Sequence, residues 1–321
     1  MGFRARYNAF DRYQRRHAWL GFPLAVRQKY SDDQGGYLAA AITYYGFFSI
    51  FPLLLALTSV LGFLLHGHPK LQSSIVHSAL GQFPVIGHDL HVHTLAGSTL
   101  AVALGLAGAL WAGMGVVLSA QNAMEQLWGI PFSRRPGFLR QRARASLILL
   151  AVGGGLLAAT GLGGLGTVGD HFGIAWKLGS IAASITLNFA LSWVALRLLT
   201  TRDIPWRRLR GGAIAAALVY EGLQTLGGYY VGHVLKHASN TYGTFALVIG
   251  LFSWIYLAVH TLLLAAEGNV VATRRLYPRS FSIAFEQPPT AGDKRALNQR
   301  AKVEQRRQDE RIDVSFDDSE R

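Results

Sequence analysis

The stretch Thr244–Thr273, TFALVIGLFSWIYLAVHTLLLAAEGNVVAT, decides the fold class of this 321-residue chain. Glu267 is its one acidic residue, and no lysine or arginine interrupts it. A helix needs about 20 mostly apolar residues to cross a hydrocarbon core of about 30 Å. The stretch is therefore long enough and apolar enough to form a transmembrane helix.

Five other stretches have the same apolar character and a comparable length. They are Leu38–Leu65, Leu95–Ala120, Ala145–Val168, Ala175–Leu199 and Gly211–Leu235. Half of all residues are apolar, 15% are charged and 36 are glycine, which is typical of packed membrane helices. The sequence therefore predicts an all-α integral membrane protein, a bundle of six transmembrane helices.

The basic residues indicate how this bundle is oriented. Of 31 lysines and arginines, 28 fall before the first stretch, after the sixth, or in the two gaps at 134–144 and 197–210. The three exceptions are Lys70, Lys177 and Lys236. Because cytoplasmic segments beside membrane helices are enriched in lysine and arginine, both termini are predicted to be cytoplasmic.

The net charge of +13 and the absence of cysteine narrow the expected partners. The basic residues lie next to apolar stretches, so we expect the lipid bilayer and its anionic headgroups, rather than nucleic acid, to be their partners. Without cysteine there is no disulfide, thiolate metal site or thiol nucleophile. No cofactor is predicted.

The chain divides into three parts by composition. Residues 1–36 alternate basic and apolar positions with a break at Pro23, which favours one or two amphipathic helices lying in the headgroup layer. Residues 37–274 form the six-helix transmembrane domain. Residues 275–321 turn polar and nearly charge-balanced, which predicts a disordered or transiently helical cytoplasmic tail.

Small residues recur every four positions in the second and third stretches and predict close helix packing. The two rows are Ala101, Gly105, Ala109, Gly113 and Ala151, Gly155, Ala159, Gly163. Some of these rows could pack against a second copy of the chain instead of inside one bundle, so a homo-oligomer is an alternative. In the first stretch, Pro52 removes one helical hydrogen bond, which predicts a kink.

Two segments resemble the opening and closing signatures of the YihY / virulence factor BrkB family. They are Leu38–Leu57, LAAAITYYGFFSIFPLLLAL, and Thr241–Val270, TYGTFALVIGLFSWIYLAVHTLLLAAEGNV. The segment Ser119–Gly137 and the loop Arg202–Gly212 also fit the family's order. Where the family reads close to G-A-E-L-N, this chain has Ala265, Ala266, Glu267, Gly268 and Asn269. The resemblance implies six transmembrane helices, a bacterial cytoplasmic-membrane location, and a transport or envelope-integrity role, alongside a ribonuclease label regarded as mistaken.

Polar residues inside the apolar stretches are the candidate functional groups, because intramembrane polar groups need partners. The central candidate is Glu221, near the middle of the fifth stretch, which could line a polar path with His260 as a proton partner. The alternative is a set of interhelical hydrogen bonds that hold the bundle together. Glu267 could pair with Arg274 or Arg275 as a structural anchor. The other candidates on these helix faces are Gln224, Thr225, Ser180, Ser184, Asn188, Ser192 and Ser253.

Histidines are concentrated in the segments expected outside the cell. His88, Asp89, His91 and His93 lie within six residues, and His233 and His237 are four apart, a spacing that can chelate a transition metal. Incidental histidines in a solvated loop and a pH-responsive face are the alternatives.

Three classes of function follow from these patterns. The first is a transporter, exporter or lipid-handling protein with a buried polar path around Glu221. The second is a structural membrane protein that supports envelope integrity without transport. The third, a membrane-bound ribonuclease, lacks a paired histidine or a carboxylate metal cluster on the cytoplasmic side, so we do not expect an enzyme.

Overall fold

The computed structural model describes residues 2–64, 99–167, 179, 186, 189–200, 204–230, 244–280 and 289–316. Within these ranges the regular elements are helices and no β-strand occurs, which confirms the predicted all-α class. The helices are α1 Gly2–Arg16, α2 Ala18–Asp32, α3 Gly35–Leu64, α4 Thr99–Leu127, α5 Phe138–Thr167, α6 Phe189–Leu199, α7 Arg210–Tyr230, α8 Thr244–Arg274 and α9 Ala291–Val303. Short 3₁₀ turns, Phe132–Arg134 and Trp206–Leu209, precede α5 and α7.

Three of the described helices are long and apolar enough to cross a membrane. Their spanning parts are Gly35–Ala56 in α3, Ala103–Leu127 in α4 and Val248–Arg274 in α8. These correspond to the first, second and sixth stretches that the sequence predicted. Helices α5, α6 and α7 lie within or overlap the third, fourth and fifth stretches, so all six have helical residues in the described part of the chain.

Glycines bring α3 and α4 into backbone contact. A Cβ atom added at Gly105 would lie 2.9 Å from the backbone nitrogen of Ala56, and one at Gly108 would lie 3.1 Å from the Cβ of Pro52. Such close approach lets dispersion forces act between helices in lipid, where the hydrophobic effect does not drive association. Gly113 belongs to the same predicted row as Gly105 but lies against Leu149 of α5. The row therefore packs against both α3 and α5. From position 155 onward, the side chains of the second row lie outside the described residues.

The α3–α4 contact can be tested with a single methyl group. Gly105→Ala places that methyl against backbone atoms of α3, so we expect a loss of about 1–3 kcal/mol, the usual cost of overpacking. The same change at Gly153 of α5 meets nothing within 4 Å. Gly153→Ala should therefore keep or slightly raise the melting temperature in detergent, whereas Gly105→Ala lowers it. Equal melting temperatures would contradict the contact.

The N-terminal arm forms two helices, and their boundary corrects the sequence interpretation. The break lies at His17, which has extended backbone angles, and not at Pro23. Pro23 lies inside α2, in its second turn, where it removes one helical hydrogen bond. Helix α2 then packs against α8, and its Ala25 is fully buried.

Six helix ends meet at one end of the bundle, which we call the basic end. The guanidinium of Arg144, at the start of α5, donates to the carbonyls of Leu198 at 2.7 Å and Thr200 at 2.6 Å, where α6 ends. Gly212, at the start of α7, contacts Asn269 near the end of α8. Lys29, near the end of α2, contacts Leu127 at the end of α4. Each of the segments 35–127, 138–199 and 210–274 therefore begins and ends at the basic end.

The C-terminal segment differs from the disordered or transiently helical tail expected for residues 275–321. Helix α9 begins with a capping box, in which the Asp293 N–H donates to Thr290 Oγ1 at 3.1 Å and the Thr290 N–H donates to Asp293 Oδ2 at 2.9 Å. This exchange satisfies two of the backbone donors that a helix start leaves open. Sequence composition missed it because a polar segment without an apolar face of its own gains its stability from the surface it docks on.

Arg279 joins α9 to the N-terminal arm. Its Nε donates to Asp293 at 3.2 Å, and its Nη1 donates to Asp32 of α2 at 2.7 Å. The side chain of Gln14 in α1 donates to the Arg279 carbonyl at 2.6 Å. Asp293 is fully buried and Arg279 is 3% exposed, so this ion pair is shielded from solvent.

Asp293 is held in its charged form by its neighbours. Burial alone would raise the pKa of its carboxyl, but hydrogen bonds from Ser280 and Thr290 outweigh burial and lower that pKa below its usual value. The unfolded chain has an aspartate pKa of about 3.9. Since the folded pKa is lower, the charged carboxylate contributes stability that is present above about pH 4 and is lost as pH falls through the folded value.

Asp293→Asn should release α9 from the basic end. The change removes the negative charge opposite Arg279 and an acceptor of charge-assisted hydrogen bonds, each of which contributes about 1.5–3 kcal/mol. We therefore expect amide hydrogen exchange across residues 291–303 to accelerate by about tenfold or more at neutral pH, since about 1.4 kcal/mol corresponds to tenfold.

Asp309→Asn is the matched control, because Asp309 is exposed and pairs with the exposed Arg307. That variant should exchange like the wild type. Protection of α9 in the wild type should persist at pH 5 and fall below about pH 4. Unchanged protection in Asp293→Asn would show that the carboxylate does not hold the helix.

Candidate functional site

Helix α2 carries a lysine into the interior of the bundle. Lys29 is 3% exposed, and it continues a row with Gly21 and Ala25, which are also buried. Residues four apart lie on the same face of a helix, and this face packs against α8. Gly21 fits because a Cβ there would lie 2.8 Å from the carbonyl oxygen of Gln14.

The end of α4 provides one partner of Lys29. Gly129, with φ +63°, ends the helix in the left-handed region, and Ile130 N–H donates back to the Glu125 carbonyl at 2.8 Å. In this Schellman motif, backbone N–H groups after the helix bond the carbonyls of Glu125 and Gln126, so the Leu127 carbonyl is left to accept from a side chain. The ammonium of Lys29 donates to the Leu127 carbonyl at 3.1 Å, where the helix end carries partial negative charge.

Two carboxylates share this one lysine. Asp33, one turn after Lys29, is in direct contact with its ammonium. Oε2 of Glu267, from α8, lies 3.6 Å from the same nitrogen. Asp33 is 5% exposed and Glu267 is fully buried. We call Lys29, Asp33 and Glu267 the buried ion cluster; it joins α2 to α8 and, through Leu127, to α4.

The cluster carries more acid than base. Burial raises the pKa of Asp33 above its usual value, while the positive charge and hydrogen bond of Lys29 act in the opposite direction. A charged group moved from water into a low-dielectric interior loses hydration energy, which a partner must offset. One ammonium can neutralise one of the two carboxylates.

A tyrosine–histidine pair lies beside the cluster. The Tyr30 hydroxyl and His260 Nδ1 are joined by a hydrogen bond of 2.7 Å, and their rings meet edge to face at 4.9 Å. Burial, followed by the nearby Tyr256 and Glu267, raises the pKa of Tyr30 to about 12. Tyr30 therefore stays protonated at neutral pH and can donate to an unprotonated His260.

A cleft of about 1210 Å³ opens beside this pair, between α2, the start of α3, the start of α7 and the end of α8. Its wall is mostly apolar and includes Phe22, Val26, Leu264 and Ala265. Polar side chains interrupt this wall, namely Arg27, Tyr30, Ser31, Gln34, Tyr37, Tyr256, His260 and Asn269. Concave sites with apolar walls and a few placed polar groups are the usual form of small-molecule sites.

The structure assigns different surroundings to the three polar residues that recur every seven positions on α8. Ser253 is exposed, His260 is half-buried and contacts Tyr30, and Glu267 is fully buried. The partner of Glu267 is Lys29, and not Arg274 or Arg275 as the sequence had indicated. Arg275 instead ends the helix with φ 53°.

The other predicted site residues are described only in part. Glu221, Gln224 and Thr225 lie in α7, but their side chains are outside the described residues. Ser192 is half-buried in α6, and Pro52 lies inside α3 against Gly108. Ser180, Ser184, Asn188 and the histidine group His88, Asp89, His91, His93, His233 and His237 lie outside the described residues. Within the described ranges, no three histidine, aspartate or glutamate side chains come together as a metal site.

Sequence reasoning missed Lys29 and Asp33, which it treated as part of an interfacial arm. A signal was available in their spacing, because a lysine four residues before an aspartate forms a helical ion pair. Lys29 also continues the row of small residues Gly21 and Ala25, which indicates a packed face. Which helix this face meets depends on tertiary structure and cannot be read from local spacing.

Replacing Lys29 should destabilise the protein, because Lys29 is the cation of the buried ion cluster. Lys29→Met leaves two buried carboxyl groups without a cation, and breaking a buried ion pair costs about 3–5 kcal/mol. We expect a large drop in the melting temperature, followed in detergent through intrinsic tryptophan fluorescence. The triple variant Lys29→Met, Asp33→Asn, Glu267→Gln should recover most of the loss, because no charge remains buried there.

Lys302→Met is the control, since Lys302 is exposed on α9. It should melt like the wild type. A triple variant no more stable than Lys29→Met would show that packing of the lysine side chain, rather than its charge, stabilises this interface.

The fold and the site together define an integral membrane protein whose helices are joined by buried polar contacts at one end. Residues 26–287 match the sequence model of the family described as Virulence factor BrkB, and the chain belongs to that family. The matched region contains the buried ion cluster and ends before α9.

Two similar proteins have membrane-protein names. A UPF0761 membrane protein of Azotobacter vinelandii (strain DJ / ATCC BAA-1303) is 26% identical over 279 residues, which cover 80% of this chain and 64% of the relative. Inner membrane protein YhjD of Escherichia coli (strain K12) is 25% identical over 279 residues, covering 80% of this chain and 82% of that protein. The chain thus spans less than two thirds of the Azotobacter relative. No solved structure matches.

Proposed function

We propose that this protein is a multi-pass transporter, exporter or lipid-handling protein of the bacterial cytoplasmic membrane, which admits its substrate through the cleft beside α2. The observation that carries the proposal is the cleft itself, a concavity of about 1210 Å³ with a largely apolar wall at the basic end. A protein that only stiffened the membrane would gain nothing from such an opening.

The chemistry of the cleft favours an amphiphile with an anionic head. Arg27 is exposed and lines the cleft, where its fixed positive charge can pair with a phosphate or carboxylate. Tyr30, His260 and Asn269 add hydrogen-bonding groups, while Phe22 and Leu264 offer apolar surface to an acyl chain. A lipid of the cytoplasmic leaflet has both features.

The orientation in this proposal places the basic end in the cytoplasm. It is supported by the distribution of lysine and arginine and by the segments 35–127, 138–199 and 210–274, which leave and return to the same end. With two crossings in each of these three segments, the chain has six spans and both termini are cytoplasmic. Anionic headgroups would then face the cluster of Trp193, Arg197, Trp206 and Arg210, in which Arg197 lies 5.6 Å from the ring centre of Trp206.

The polar path expected around Glu221 would continue from this cleft. Ala215 of α7 lines the cleft, and Glu221 follows six residues later, about 9 Å further along the helix axis at 1.5 Å per residue. In this arrangement the cleft is the cytoplasmic entrance and Glu221 lies deeper in the membrane.

A second candidate is a structural role in envelope integrity, which the backbone contact between α3 and α4 favours. Glycines that bring helices together serve a rigid bundle whether or not it transports anything. This candidate requires no occupant for the cleft, so lipid cross-linking to the cleft distinguishes it from the transport candidate.

A bulky side chain placed in the cleft should exclude the lipid that is proposed to bind there. Ala40 lines the cleft, whereas the adjacent Ala41 is exposed and outside that lining. In vesicles that contain phosphatidylglycerol bearing a photoactivatable acyl chain, we expect Ala40→Trp to reduce cross-linking to peptides of α2 and α8 severalfold. Ala41→Trp, which adds the same side chain on another face of α3, should label like the wild type. Arg27→Gln should weaken labelling, with Arg16→Gln of α1 as its control.

The same variants separate transport from a structural role. In proteoliposomes, movement of a fluorescent phosphatidylglycerol between leaflets should be slower for Ala40→Trp than for Ala41→Trp. Equal labelling and equal movement in both variants would remove the proposed role of the cleft and favour the structural candidate.

A further inference from the structure

Glu267 is the least compensated charged group in the described part of the bundle. It is fully buried, and the polar side chains that reach its carboxyl group are Lys29 and Asp33, the second of which is itself an acid. Lys29 lies 3.6 Å from Oε2 but is already in contact with Asp33 and donates to the Leu127 carbonyl. The lysine therefore balances Asp33, and Glu267 has no cation of its own.

The surrounding ionisable groups on the packed helices are engaged elsewhere. On α4, Glu125 pairs with Arg135 at 3.5 Å, and on α2, Asp32 pairs with Arg279 at 2.7 Å. Tyr30 and His260 are bonded to each other on the cleft side. A charged Glu267 would leave the cluster with a net charge of −1, whereas a protonated Glu267 leaves it neutral.

The buried ion cluster adjoins residues that line the cleft. Gly268, the residue after Glu267, lines the cleft, as do Tyr30 and Gln34, which adjoin Lys29 and Asp33 in sequence. A proton that leaves Glu267 thus has water-accessible space close by, although the carboxyl itself is buried. A buried carboxyl beside a water-accessible cleft is the arrangement that proton-driven membrane proteins require.

We propose that Glu267 is a proton-exchange site, in which Lys29 and Asp33 remain a fixed ion pair and Glu267 alternates between its acid and its carboxylate. Deprotonation breaks the O–H bond of Glu267, its electron pair stays on the carboxylate, and the proton passes to water in the cleft. The cluster then changes from neutral to −1 beside Arg27 and His260, which line the same cleft.

This step supplies a form of energy coupling for the function proposed above, on which it rests. A negative cluster competes with an anionic headgroup for Arg27. Loss of the proton should therefore favour release of an anionic occupant, and uptake of the proton should favour binding. A proton gradient would then give the movement of lipid a direction.

Infrared difference spectroscopy tests the proton directly, because a protonated carboxylic acid has a carbonyl stretch that a carboxylate lacks. Purified protein in detergent at neutral pH should show such a band in the wild-type minus Glu267→Gln spectrum. Asp33→Asn should also lose the band, since Lys29 is then available to neutralise Glu267. Glu304→Gln, at an exposed position on the C-terminal segment, should leave the band unchanged.

A wild-type minus Glu267→Gln spectrum without a carboxylic acid band would overturn the proposal, as would a band that persists in Asp33→Asn. Coupling is measured by imposing a pH gradient across proteoliposomes that contain the fluorescent phosphatidylglycerol. The wild type should respond to the gradient severalfold more than the isosteric Glu267→Gln, and an equal response would also overturn the proposal. If the band behaves as expected while Ala40→Trp and Ala41→Trp label alike, the site exchanges protons and the lipid function fails.

Discussion

The burial of one lysine is the constraint on which the basic end of this protein depends. Lys29 can leave water only because the open carbonyl of Leu127, the carboxylate of Asp33 and the carboxyl group of Glu267 surround its ammonium. These partners belong to three different parts of the chain, so one charge fixes α2, α4 and α8 relative to one another. In lipid, where the hydrophobic effect does not drive helix association, such polar contacts and close glycine packing must do so.

The same constraint explains why the fold was easier to predict than the site. Hydropathy over some 20 residues is a local property, so the helices α3, α4 and α8 could be recognised as apolar spans from their own residues. Glu267 was also visible, as an acid inside an apolar stretch. The partner of Glu267 could not be recognised in the same way. Arg274 and Arg275 are close to Glu267 in sequence, whereas Lys29 comes close to it only when α2 packs against α8. Local spacing favours neighbours along the chain, and the buried ion cluster is built from residues that are 238 positions apart at its widest.

The terminal segments show the opposite error, in which composition predicted an interfacial helical arm at the N-terminus and little structure at the C-terminus. Helices α1, α2 and α9 have polar faces that suit the headgroup layer or solvent, but their buried residues, among them Gln14, Lys29 and Asp293, are polar too. Each has a partner in another segment, so these contacts leave no apolar pattern in the sequence. The predicted helix boundary at Pro23 was wrong for the same reason. Packing of α2 against α8 stabilises the helix through Pro23, and local sequence does not show that packing.

Leu127 has a further consequence, because its carbonyl accepts from Gln299 of α9 at 3.4 Å as well as from Lys29. Gln299 lies beyond residue 287, where the match to the family ends. A segment outside the matched region is thus one hydrogen bond away from an acceptor of the buried lysine. A truncation after residue 287 removes Gln299 from this carbonyl and leaves Lys29 bound to it, so it changes a contact of the membrane domain rather than a detached tail.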